Sequence, residues 1–124
     1  PLDAGLGMAG LAARLVPAMV APGTLPSAIA AAQAMMAGVP EATYRAAVAA
    51  LVAFDRRANL PNIQVPTLVI TGEHDRTAAP EVARKMAERI PGALCHILPG
   101  AGHLLNIEQP DAFNTVLLQF LQQR

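Results

Sequence analysis

The sequence predicts an α/β chain: a helical layer over residues 1–59, then a strand–helix–strand–helix segment over residues 60–124. Three observations predict it. An apolar, β-branched run, Thr67-Leu68-Val69-Ile70-Thr71, follows Pro66. A second short apolar run, residues 94–98, lies beyond an amphipathic stretch that opens at Pro80. Residues 1–59 contain no comparable run and are rich in alanine and methionine. A helix of about ten residues between two apolar strands is a right-handed crossover, which makes the strands parallel.

The helical layer reads in three pieces. Met8, Leu11, Leu15 and Met19 fall at helical spacing, and Ala21-Pro22-Gly23 ends that first helix. A second helix starts at Pro26, a favourable first-turn residue, with Leu25 or Thr24 at the cap. It should bury Ile29, Gln33 or Ala32, and Met36, and stop at Gly38-Val39-Pro40. A third runs from about Glu41, with Tyr44, Val48 and Leu51 on one face.

In the second segment, Thr67–Thr71 reads as a strand buried on both faces, ended by Gly72. Val82, Met86 and Ile90 recur every four residues along the next helix, with Glu81 near its start and Arg89 near its end, as the helix dipole favours. Pro91-Gly92 stops it. After the strand over residues 94–98, Pro99-Gly100-Ala101-Gly102 is too glycine-rich for regular structure. A last helix begins at Pro110, with Phe113, Val116, Leu117, Phe120 and Leu121 as its apolar stripe. Two parallel strands are marginal alone, and parallel sheets are almost always covered on both faces. The sheet is therefore expected to be incomplete without an N-terminal half. The absence of an initiator Met points the same way, to a processed product, a split-gene subunit or a piece of something longer.

Composition excludes several classes. Nine basic residues balance nine acidic ones, so no basic field favours nucleic acid or anionic lipid. A hydrophobic fraction of 53% against 15% charged residues argues for a folded chain. Arg14, Pro17, Pro22 and Pro26 interrupt the longest apolar stretches, so no membrane span is expected. A soluble, cytoplasmic protein is the expectation, and the single Cys95 excludes an internal disulfide framework.

Residues 66–75 read PTLVITGEHD, residues 100–103 read GAGH, and Asn106-Ile107-Glu108-Gln109-Pro110 leads into the last helix. Together these resemble the C-terminal third of the α/β-hydrolase family, in its enol-lactonase, esterase and meta-cleavage-hydrolase branch. The match is good over roughly residues 55–122, and residues 1–55 fit its helical cap more loosely. The resemblance implies that Asp75 is the acid and His103 the base of a nucleophile–His–acid triad. The family order is nucleophile, acid, histidine, and this chain holds the second and third.

Physical chemistry supports that placement. Ligands of open α/β sheets sit beyond the carboxyl ends of the strands. Asp75 and His103 follow adjacent strands spaced about 4.8 Å apart, so both loops emerge on one rim. A carboxylate there would fix the histidine tautomer and stabilise the imidazolium.

Blander readings compete. An Asp after a strand-ending glycine is commonly a turn or cap residue, and a His after glycines a loop residue. Glu73 is a rival acid, and His74 reads as a rim residue. His96 reads as structural, and Cys95 as a buried small hydrophobe. Glu108 matches an acidic residue that the family carries before its last helix, read as holding the loop. Met8, Met36, Tyr44 and Leu104 are candidate substrate contacts, although a methionine stripe is as readily a packing face. Arg14, Arg45, Arg56 and Arg57 are weaker candidates for a carboxylate anchor.

No nucleophile appears. Ser27 lies in Leu25-Pro26-Ser27-Ala28-Ile29, with neither the G-x-S-x-G elbow nor a preceding strand. No oxyanion-hole segment appears either. The implied function is hydrolysis of a small carboxylic ester or lactone, completed by an N-terminal half of the same hydrolase. No metal or organic cofactor is implied. Dehalogenation, acyl transfer or a non-catalytic remnant of the fold are the alternatives.

Overall fold

The computed structural model describes residues 5–122, which divide into two compact units. Of the described residues, the first comprises 5–18 together with 25–55, and the second comprises 19–24 together with 56–122. The expected division at 59/60 thus differs from the observed one at 55/56, and a short piece of the helical region, residues 19–24, joins the second unit.

The first unit holds three helices, α1 (Gly7–Met19), α2 (Pro26–Ala37) and α3 (Glu41–Ala53). Pro26 occupies the first turn of α2, where its missing N–H costs nothing. Met8, Leu11, Ala12 and Val16 are the buried residues of α1, so the packing face is turned from the expected stripe: Ala12 and Val16 take the inner positions and Leu15 is half-buried. In α2 only Ala32 is buried, with Ile29, Gln33 and Met36 half-buried. The face expected on α3 is not covered. Tyr44 is half-buried, but Val48 and Leu51 are exposed.

The second unit continues through a 3₁₀ turn (Arg57–Asn62), β1 (Leu68–Gly72), α4 (Pro80–Arg89), β2 (Leu94–Leu98), α5 (Leu105–Glu108) and α6 (Pro110–Gln122). The strands are parallel, in register from Leu68 opposite Leu94 to Gly72 opposite Leu98. Helix α4 packs against both strands and the 3₁₀ turn, and α6 packs against β2.

Two expectations are corrected here. Leu68, Val69 and Ile70 are half-buried rather than buried on both faces, because a sheet of two strands leaves their outer sides uncovered. The buried face of α4 is Ala83, Ala87 and Ile90, while Val82 and Met86 are exposed. Small alanines let the helix lie close to the strands, and the larger side chains fall to one side. There they line a cleft of about 250 Å³ with Arg57, Leu60, Lys85 and Arg89. Among the described residues no helix is long and apolar enough to cross a membrane.

Candidate active site

The site grows from the carboxyl ends of β1 and β2. Beyond Gly72 the strand pairing continues for two residues: Glu73 N–H donates to the Leu98 carbonyl (3.0 Å) and His74 N–H to that of Ala101 (2.8 Å). The chain then turns back, with Asp75 N–H donating to the Gly72 carbonyl at 3.1 Å. Asp75 is buried, 6% exposed.

Its two oxygens divide the work. Oδ1 accepts hydrogen bonds from the N–H groups of Thr77 and Ala78, both at 2.8 Å, and so shapes the turn into α4. Oδ2 lies 2.8 Å from His103 Nδ1. Asp75 thus contacts the turn with one oxygen and the imidazole with the other. Burial by itself would raise the Asp75 pKa. Hydrogen bonds from Ala78 N–H, His103 and Thr77 N–H outweigh it and hold the carboxyl below its ordinary value.

The His103 side chain is 31% exposed, whereas that of Asp75 is 4% exposed. Among the described residues His103 Nε2 has no hydrogen-bond partner. Nδ1 is thus engaged on the inside, and the opposite nitrogen is open for chemistry.

The competing groups are placed elsewhere. Glu73 Oε2 accepts from Gly100 N–H at 2.9 Å, so this carboxylate serves the loop and not the imidazole. The His74 ring is 3.9 Å from Glu73 and about half exposed, at the rim. His96 is half-buried in β2, opposite Ile70. Cys95, expected to be buried, is exposed, in a cleft that it lines with Val116, Gln119 and Phe120 of α6. Ser27 is an exposed first-turn residue of α2. Of the candidate substrate contacts, Met8 is buried and Met36 and Tyr44 are half-buried, all in the first unit, while half-buried Leu104 directly follows His103. Arg45 is paired with Glu41 at 2.8 Å. Among the described residues no three His, Cys, Asp or Glu side chains gather to hold a metal ion.

Glu108 does more than its sequence position announced. Oε2 accepts from Ala21 N–H (2.8 Å) and Gly102 N–H (3.0 Å) and lies 2.9 Å from Thr24 Oγ1; Oε1 accepts from Leu104 N–H at 3.0 Å. The residues of 19–24 in this network carried no signal that sequence reasoning could have found, because the contacts span 84 to 87 positions.

The sequence pattern of the alpha/beta hydrolase family matches residues 1–116. The chain belongs to the alpha/beta hydrolase family. Among solved structures this alpha/beta hydrolase chain is similar to the enol-lactonase from Burkholderia xenovorans LB400, with 33% identity and a TM-score of 0.86 over 93% of this chain and 45% of that one. It is similar also to a thermophilic esterase from Thermogutta terrifontis, with 29% identity and a TM-score of 0.84 over 91% of this chain and 43% of that one. Among curated proteins, the carboxylesterase YbfK of Bacillus subtilis is 41% identical over 63 residues, 50% of this chain and 21% of that protein. The chain spans less than half the length of each of these relatives.

Proposed function

We propose that the protein hydrolyses small carboxylic esters or lactones, this chain supplying the acid and the base of its triad. A nucleophile and an oxyanion hole come from an N-terminal half of the same hydrolase, either as a separate chain or as preceding residues. The observation that carries the reading is the 2.8 Å contact between buried Asp75 and His103 Nδ1, with Nε2 left open. The names of the similar proteins, an enol-lactonase and two esterases, support acyl transfer from oxygen.

In the completed site a serine hydroxyl attacks the substrate carbonyl while His103 Nε2 takes its proton. Asp75 Oδ2 receives the Nδ1–H hydrogen bond throughout and stabilises the imidazolium, without itself taking the proton. His103 then protonates the departing alkoxide, and a water molecule repeats the sequence in reverse to release the acid. Leu104, next to His103, is the apolar side chain we assign to the substrate.

Packing supports a further half. The edge of β1 away from β2 has no strand among the described residues, and Val65, Leu94, Leu118 and Leu121 of the second unit are exposed. Unpaired backbone beside apolar side chains is an invitation to pair. A serine-directed fluorophosphonate on the complete protein tests the reading. Stoichiometric labelling with loss of esterase activity is expected. Esterase activity that survives saturating probe, or an absence of any ester or lactone turnover, would overturn it.

A further inference from the structure

We infer that Glu108 is a positioning residue for His103, acting by clamping residues 19–24 onto the histidine loop. This rests on the reading of His103 as the base.

Three consecutive N–H groups around the histidine are all engaged. Those of Gly102 and Leu104, on either side of it, donate to Glu108, and that of His103 itself donates to the Met19 carbonyl at 2.7 Å. The same carboxylate accepts from Ala21 N–H, so one side chain holds both the histidine loop and the segment behind it. No side chain cushions the two. A Cβ placed on Gly102 would lie 2.6 Å from Ala21 N, 2.7 Å from Met19 O and 2.8 Å from Val20 C. A shift of residues 19–24 is therefore delivered directly to the backbone of His103.

The chemistry requires an acceptor-only group. Each bond is donated by an N–H or O–H, and only an ionised carboxylate accepts on both oxygens. A glutamine would turn its NH₂ toward at least one of these N–H groups. Thr24 is the softer part of the clamp: its single hydroxyl hydrogen serves either Glu108 or the Ala21 carbonyl, 2.8 Å away. Residues 19–24 are the last residue of α1 and most of its link to α2, so the clamp ties the placement of His103 to that link.

The test uses the complete protein, with Glu108→Gln, Thr24→Val and His103→Ala. Its readouts are kcat and KM for an ester, and the far-downfield proton resonance of His103 Nδ1–H, which His103→Ala must remove. A misplacement of about 1 Å costs about 100-fold, so Glu108→Gln should lower kcat by about 10- to 100-fold, with KM within about threefold. The resonance should move or broaden. Thr24→Val should change both in the same direction by less. A role in folding alone would lower the melting temperature while leaving kcat per folded site and the resonance unchanged, and that result would overturn the inference. If Glu108→Gln does not fold, unchanged kcat and resonance in Thr24→Val do the same. Undiminished turnover in His103→Ala would sink the proposed function instead, which keeps the two failures apart.

Discussion

Gly72 and Gly102 meet backbone to backbone: a Cβ on Gly72 would lie 2.2 Å from the Gly102 carbonyl oxygen and 2.4 Å from that of Ala101. The contact presses the turn leading to Asp75 against the loop leading to His103. The spacing of the two side chains is thereby set by main chain, which is stiffer than side-chain packing.

A methyl group at position 72 has nowhere to go. Gly72→Ala should destabilise the complete protein by about 1–3 kcal/mol, the usual cost of overpacking. It should also lower kcat, because the two loops must part. Chemical denaturation alongside ester turnover checks both, and an unchanged midpoint would mean that the loops yield freely.

Asp75→Asn separates the two tasks of this side chain. The turn N–H groups of Thr77 and Ala78 require an acceptor, so the amide oxygen should stay with them. The NH₂ then faces His103 Nδ1, which must accept, and the ring proton moves to Nε2. That is the wrong tautomer for a base. We expect kcat to fall by roughly 10⁴-fold with KM little changed, the effect known when a triad acid is replaced this way.

Asp75 also makes stability depend on pH. Its pKa in the folded protein is lowered, so between the folded and unfolded values the unfolded chain binds more protons. The stabilisation is complete above the unfolded value, about 3.9. It is lost as pH falls through the folded value. Denaturation of the complete protein and its Asp75→Asn variant should show a stability gap that closes as pH drops below about 4. A gap that widens toward acid would reverse the sign of this account.

Much of this was legible in the residues. The strand over 94–98 and the helix from Pro80 were readable because short apolar runs and a proline start carry local signals. Asp75 and His103 were readable because glycine, turn and strand punctuate them in a recognisable order. What failed was burial. Val82 and Met86 follow the helical period well, yet alanines occupy the buried face of α4, since period alone does not say which side meets the sheet. Cys95 was misplaced because a small sulfur side chain is usually buried, whereas here an open cleft lies between it and α6. The reach of Glu108 to Ala21 and Thr24 was invisible because no periodicity links positions so far apart.

The exposed Val65, Leu94, Leu118 and Leu121 make a claim about the chain by itself. Expressed alone, it should bind a hydrophobic dye strongly and sediment as mixed oligomers. Added N-terminal half should reduce dye binding and bring ester turnover with it. Dye-free, monodisperse behaviour of the lone chain would contradict the need for a second half.

The most direct measurement is ester hydrolysis by the complete protein with and without His103→Ala. If the imidazole held by Asp75 is the base, kcat should fall by about 10³-fold or more. Turnover equal to that of the unaltered protein would show that the pair at the strand ends is not the catalytic one.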